Sequence, residues 1–291
     1  MTNEHQEKHS CINHHRARQL HQLSAGAQAQ GHYDKYVHWH HGVMIPTVHP
    51  DEPHDPEYRN GAHLGPAFLP WHREMLMQLE LDLQSLDESV TLPYWDWTED
   101  AADPLNSPIW SSQWMGGDGD KNDHDRVKTG PFAYQNGKWP VPAYPENGET
   151  EPGLKRQFGQ RVTSLPTPAD LAMAMREWLY DTPPYDAGPY TRGFRNRLEG
   201  WVTQRGDPQV TTPGSQLHNR VHLWIGGNML AMTSPEDPVF FCTTALSTRS
   251  GRIGRHRCKS TILTGLHITH RCPAGRRVTT MTIRSSPGRG G

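Results

Sequence analysis

Leu217-His218-Asn219-Arg220-Val221-His222-Leu223-Trp224 sets His218 and His222 four residues apart. On an α-helix that spacing stacks both imidazoles on one face, one turn from each other. Leu217, Val221 and Trp224 share or flank the same face, which turns the pair towards a core. Two neutral imidazoles so placed form half of a site for copper, zinc, iron or nickel. A helix that merely carries two histidines would read the same, so the case depends on a second histidine set elsewhere.

That set lies upstream. Tyr33, Tyr36, Val37 and His40 recur with helical spacing, predicting a helix over 33–43. Residues 45–62 are rich in Pro, Asp, His and Asn and read as loop. Pro70 suits the first turn of a helix, where its missing N–H costs nothing, and Met75, Leu76, Leu79, Leu83 and Leu86 continue its apolar face. His72 sits in that first turn and His63 in the loop feeding it. For His40 by itself, a core histidine satisfied by its neighbours is the alternative. His38, His41, His49 and His54 read as surface or loop residues. The HExxH pattern of helical zinc enzymes is absent, because Asn219 follows His218. Nitrogen ligation without thiolate or carboxylate suits copper as well as zinc.

Composition bounds the rest. The chain has 291 residues, 34% of them hydrophobic, with 10 Trp, 25 Pro and 27 Gly, which predicts a core with long, turn-rich connections. Its 19 His also favour a metal. A net charge of −2 argues against a nucleic-acid partner. No apolar run is long enough to span a membrane, and Met1–Gln30 carries no basic-apolar export signal. The expectation is a protein that stays in the cytoplasm or leaves with a partner. Arg16–Leu23 forms at most a turn or two of amphipathic helix. Residues 100–160 read as a long loop region with room for short strands. Thr167-Pro168-Ala169-Asp170 predicts a helix start running to about Tyr180, and Phe194–Trp201 a short segment before the His218 helix. Cys11, Cys242, Cys258 and Cys272 form neither a zinc ribbon nor a disulfide framework.

Together these residues resemble the bacterial tyrosinases, which are type 3 copper proteins. The resemblance runs in order through Gly31-His32-Tyr33-Asp34 to His40, Phe68-Leu69-Pro70-Trp71-His72-Arg73 and Leu92-Pro93-Tyr94-Trp95-Asp96-Trp97. It continues through Gly130-Pro131-Phe132, Phe194–Trp201, the His218 helix and Ser234–Phe241, covering about residues 30–241. It implies a mainly α fold, a four-helix bundle enclosing two copper ions, with O2 as co-substrate. His40, His63 and His72 would hold the first copper, and His218 and His222 would supply two ligands to the second. Glu199 matches a carboxylate that holds a water and accepts the phenol proton, with Asn219 orienting that water. Read by itself, Glu199 is an ordinary helix acid. Trp71, Tyr94, Trp95 and Trp97 are assigned to packing. The implied reaction is ortho-hydroxylation of small phenols and oxidation of catechols to ortho-quinones, the chemistry that leads to melanin. The alternatives are an ortho-aminophenol or catechol oxidase without hydroxylase activity, or a non-catalytic copper and O2 binder. A caddie-type copper-delivery protein is the implied partner.

The pattern breaks at residue 242. The family continues Leu-His-His, whose second His is the third ligand of the second copper; here Cys242-Thr243-Thr244 follows Phe241, and Thr244 stands in the ligand's place. A hydroxyl is a poor substitute for imidazole on copper. After Asp237 there is no acidic residue, and residues 249–291 hold nine Arg and one Lys, a net +10, while residues 1–248 hold 19 basic against 31 acidic. Cys-Thr-Thr written TGC ACC ACC becomes CTG CAC CAC, Leu-His-His, when read one base earlier after a C. The expected organisation is therefore a catalytic domain over 1–241 and a basic tail over 242–291, either disordered or translated out of frame. A genuine basic tail that binds an acidic partner is the competing reading. The nucleotide sequence across codons 238–250 decides between them.

Overall fold

The computed structural model describes residues 33–45, 60–137, 139, 153–188, 191–201 and 215–257. Arg16–Leu23, His49, His54 and residues 258–291 lie outside that range. The described chain is mainly α-helical. Helix α1 spans Asp34–Met44, α2 Phe68–Leu86, α3 Pro168–Ala174, α4 Phe194–Glu199, α5 Leu217–Ile225 and α6 Val239–Arg257. Strands Gly119–Asp120 and Arg126–Val127 pair antiparallel within the long loop region, with Gly119 opposite Val127. None of the described helices is long and apolar enough to cross a membrane.

Helix α1 buries Tyr36, Val37 and His40 and exposes His38, so its inward face is the one expected. Tyr33 donates from its hydroxyl to the Pro235 carbonyl at 2.6 Å, and its ring and that of Tyr36 meet Phe241 edge-on. These contacts fasten α1 to the start of α6. Helix α2 turns Phe68, Leu69, His72, Met75, Leu76, Leu79 and Leu83 inward and packs along α6. Burying side chains of this size contributes about 1.5–3 kcal/mol each.

Helix α6 begins at a buried ion pair. Asp237 accepts from Arg156 Nε at 2.7 Å and from Nη2 at 2.8 Å, both side chains being fully buried. Asp237 Oδ1 also accepts the Val239 N–H at the helix start. Arg156 Nη1 donates to the Met115 and Gly116 carbonyls, which ties the long loop region to α6.

The boundary expected at 241/242 falls inside α6. Residues 242–257 are helical rather than a disordered tail, because Phe240, Phe241, Cys242 and Leu246 keep an apolar face against the core. The change of sequence type at 242 is not a change of secondary structure.

Helix α3 starts where expected, with the Thr167–Asp170 capping box fully formed, but ends at Ala174 rather than near Tyr180. The Leu179 and Tyr180 carbonyls instead accept the N–H groups of Phe194 and Arg195, so the chain leaves the helix to receive the start of α4. Helix α4 ends at Gly200, whose φ is +109°. A Cβ there would lie 2.1 Å from the Gln216 carbonyl oxygen, so only glycine lets α4 and α5 approach so closely. Trp95 and Trp97 are buried as expected. Tyr94, assigned to packing with them, is 47% exposed, because the residues alternate sides of an extended strand-like segment.

Candidate metal centre

Five imidazoles meet between α1, α2, α5 and the loop before α2. His40, His63 and His72 each offer a ring nitrogen, and these atoms lie within 4.8 Å of one another. Their ring centroids are 4.7 to 5.7 Å apart. His218 and His222 stack 4.5 Å apart on α5, and His218 comes within 6.1 Å of His63 and 6.3 Å of His72. All the sequence-expected histidines are therefore brought together. Phe68 lies 4.8 Å from His218 and 5.0 Å from His72; Phe240 lies 5.0 Å from His40 and 5.9 Å from His222. These two buried rings flank the cluster, and neither was singled out in the sequence as a site residue.

Four of the rings are aimed by a bond to Nδ1. His40 Nδ1 faces the Met232 carbonyl at 2.6 Å, His72 the Phe68 carbonyl at 2.8 Å, His222 the Met229 carbonyl at 2.8 Å, and His218 the Asn219 Oδ1 at 3.0 Å. A carbonyl only accepts, so Nδ1 carries the proton and Nε2 keeps its lone pair. Those four Nε2 atoms, and His63 Nδ1, are buried without a hydrogen-bond partner. A buried polar atom left unpaired costs roughly 1–3 kcal/mol. Five neighbouring imidazoles with unpaired buried nitrogens form an arrangement that bound metal would satisfy. The three nitrogens of His40, His63 and His72 fit copper. His218 and His222 offer two donors, and among the described residues no His, Cys, Asp or Glu completes a second set of three. The fit is complete at one position and short at the other.

Burial holds all five histidines below their ordinary range, and the neighbouring imidazoles push most of them further down. For His72 burial outweighs the opposing bond to the Phe68 carbonyl, bringing it to about 4. This has a consequence for the metal-free protein. Between pH 6.5 and 4 the unfolded chain binds a proton at this residue and the folded chain does not. Stability is thus full above about pH 6.5 and falls as pH drops towards 4, by on the order of 3 kcal/mol from His72 alone. Thermal unfolding of the metal-free protein from pH 7.5 to 4.5 should show a steadily decreasing Tm; a flat Tm across that window would contradict the burial of these rings as neutral species.

Glu199 is fully buried at the end of α4. Its Oε1 accepts the Leu64 N–H at 2.7 Å and its Oε2 accepts from Arg195 Nη1 at 3.0 Å. Burial pushes its carboxyl above the ordinary range, while Arg195 and the Leu64 N–H pull in the opposite direction. Arg195 is itself buried and grips Asp181 through Nε and Nη2. Arg195 was not picked out in the sequence, although it lies one helical turn before Glu199. Asn219 is half-buried and spends its Oδ1 on His218.

Comparison with known proteins gives the family. The family profile "Common central domain of tyrosinase" matches residues 30–243. A grixazone synthase of Streptomyces griseus is 38% identical over 237 residues, covering 76% of this chain and 74% of that protein. A tyrosinase of Streptomyces antibioticus is 40% identical over 211 residues, covering 72% of this chain and 68% of that protein. Among solved structures, a polyphenol oxidase variant from Thermothelomyces thermophila matches with a TM-score of 0.51 at 19% identity. That match covers 77% of this chain and 59% of that one, a likeness of fold. The histidines gathered here all fall inside the matched span, and the chain belongs to the tyrosinase family of type 3 copper oxidases.

Proposed function

We propose that this chain binds copper at the histidine cluster and oxidises small phenols or catechols with O2. The observation that carries this reading is the set of five neighbouring imidazoles, each with a buried unpartnered nitrogen, three of which offer nitrogens within 4.8 Å of one another. In this reading α1, α2, α5 and α6 form the four-helix core around two copper positions. His40, His63 and His72 hold the first copper, and His218 and His222 hold part of the second. Copper there supplies the electron and O2 chemistry; the protein supplies ligands, orientation and a dry site. The bonds from Nδ1 keep four ligands in the tautomer that presents Nε2, and Phe68 and Phe240 exclude water. Glu199 is the group that takes the phenolic proton, its affinity for a proton raised by burial. Asn219 orients His218 and the water near it. A caddie-type protein delivers the copper and accompanies any export.

Oxygen uptake by the copper-loaded chain on tyrosine, a catechol and an ortho-aminophenol tests the proposal. Copper-dependent uptake on the catechol, abolished by chelation, is expected. Turnover of catechol and aminophenol without tyrosine would favour an oxidase lacking hydroxylation. A chain that holds copper and turns over none of the three would be a copper-binding protein, a reading favoured by the incomplete second position.

A further inference from the structure

One of the five imidazoles is held differently from the rest. His40, His72, His218 and His222 each have a bonded Nδ1, whereas His63 Nδ1 is buried without a partner. His63 is also the member that comes from a loop rather than a helix. Its ring is therefore aimed by its backbone and by packing against neighbouring rings.

That backbone is pinned from two sides. Asn60 Oδ1 accepts the N–H groups of Ala62 at 3.0 Å and His63 at 2.7 Å. Glu199 Oε1 accepts the N–H of Leu64, the next residue, at 2.7 Å. Leu64 has a φ of +63°, in the left-handed region that a Leu side chain disfavours by roughly 1 kcal/mol or more. A non-glycine residue stays there only if its surroundings hold it. Glu199 is the holding group, and it is braced in turn: Oε2 takes Arg195, whose other nitrogens are locked onto Asp181 and the Asp186 carbonyl. Glu199 and Arg195 are both fully buried, so the charge-assisted bond from the carboxylate to the Leu64 N–H is strong.

We infer that Glu199 is a positioning residue for His63: through the Leu64 N–H, braced by Arg195, it sets the one metal ligand that has no ring bond of its own. The inference rests on the copper reading of the site but adds a second duty to Glu199, separate from any proton it accepts. Other members of the cluster are aimed through their rings; His63 is aimed through its peptide.

The test is Cu(II) binding to the full chain, by competition with a chelator, together with the Cu(II) electron paramagnetic resonance spectrum. Glu199→Ala is expected to weaken Cu(II) binding about 10- to 100-fold and to alter the spectrum. Glu199→Gln keeps a carbonyl oxygen for the Leu64 N–H and should recover most of that loss, which a pure proton-acceptor role would not give. In a His63→Ala background, Glu199→Ala should cost little further copper affinity, since the ligand it acts on is gone. If Glu199→Ala fails to fold, Glu199→Asp carries the same test, because it keeps the charge near Arg195 and draws the carboxylate back from Leu64. Unchanged affinity and spectrum in Glu199→Ala, or an equal loss with and without His63, overturns the inference and leaves the copper site intact. A wild-type chain that binds no Cu(II) overturns the reading of the site itself.

Discussion

Replacing His72 with alanine is expected to empty the first copper position. Of the three imidazoles there, His72 is the best placed: it is 1% exposed, and its Nδ1 is bonded to a carbonyl four residues back in the same helix. Its ring sits 4.7 Å from His63 and 5.7 Å from His40. Loss of an outer partner that only aims a ligand costs 10- to 100-fold in metal affinity, so loss of the ligand itself should cost at least about 100-fold. Two imidazoles remain at that position, one of them on the loop, and neither can close the shell. Copper per chain after dialysis should fall by about one equivalent, and the rise in Tm on adding copper should shrink accordingly. His38→Ala is the matched control, since His38 lies on α1 but faces outward; it should leave copper content unchanged. A His72→Ala chain that retains the wild-type copper content would remove His72 from the ligand set.

Why His72 could be found without coordinates, and other groups could not, follows from how each is encoded. Helix periodicity around Pro70 and around His218 is local, so α1, α2 and α5 and the inward direction of their histidines were legible. The convergence of those helices on one point was not local, and it came from resemblance to a family. Leu64's left-handed backbone and its bond to Glu199 depend on chain segments more than a hundred residues apart, which no spacing rule connects. The early end of α3 was lost for the same reason, since the start of α4 takes the Leu179 and Tyr180 carbonyls that follow it. Of the stretch read as a disordered or out-of-frame tail, residues 242–257 are helical, because Cys242 and Leu246 still offer an apolar face to the core, and residues 258–291 lie outside the described residues.

That same segment carries the second large effect. Thr244→His is expected to raise copper per chain from about one to about two, because among the described residues no third group joins His218 and His222 and the family resemblance puts Thr244 in that ligand's place. Phe240 touches His40, His72 and His222, so its face of α6 lies against the cluster. Thr243, Thr244 and Ser247 follow Phe240 by three, four and seven residues and share that face. All three are buried, and all three hydroxyls lack a hydrogen-bond partner among the described residues. Three unsatisfied hydroxyls on the site-facing side of a core helix are a poor solution for stability, at roughly 1–3 kcal/mol each. They are what an out-of-frame segment would leave where selected residues belong, and we propose that origin for residues 242–291. An imidazole at 244 replaces one orphan hydroxyl by a donor that the second copper can use, though the larger ring costs on the order of 1–3 kcal/mol in repacking. Ala245→His, one residue later on the helix, should not raise copper content, because that position points about 140° away from Phe240. Elemental analysis of both variants and of a frame-corrected chain decides the matter. If the frame-corrected chain binds two coppers and Thr244→His binds one, residue 244 is not the missing ligand and the register carried from the family is wrong. If the unaltered chain already binds two, the second position is completed by a group outside the described residues, and Thr244 is no defect.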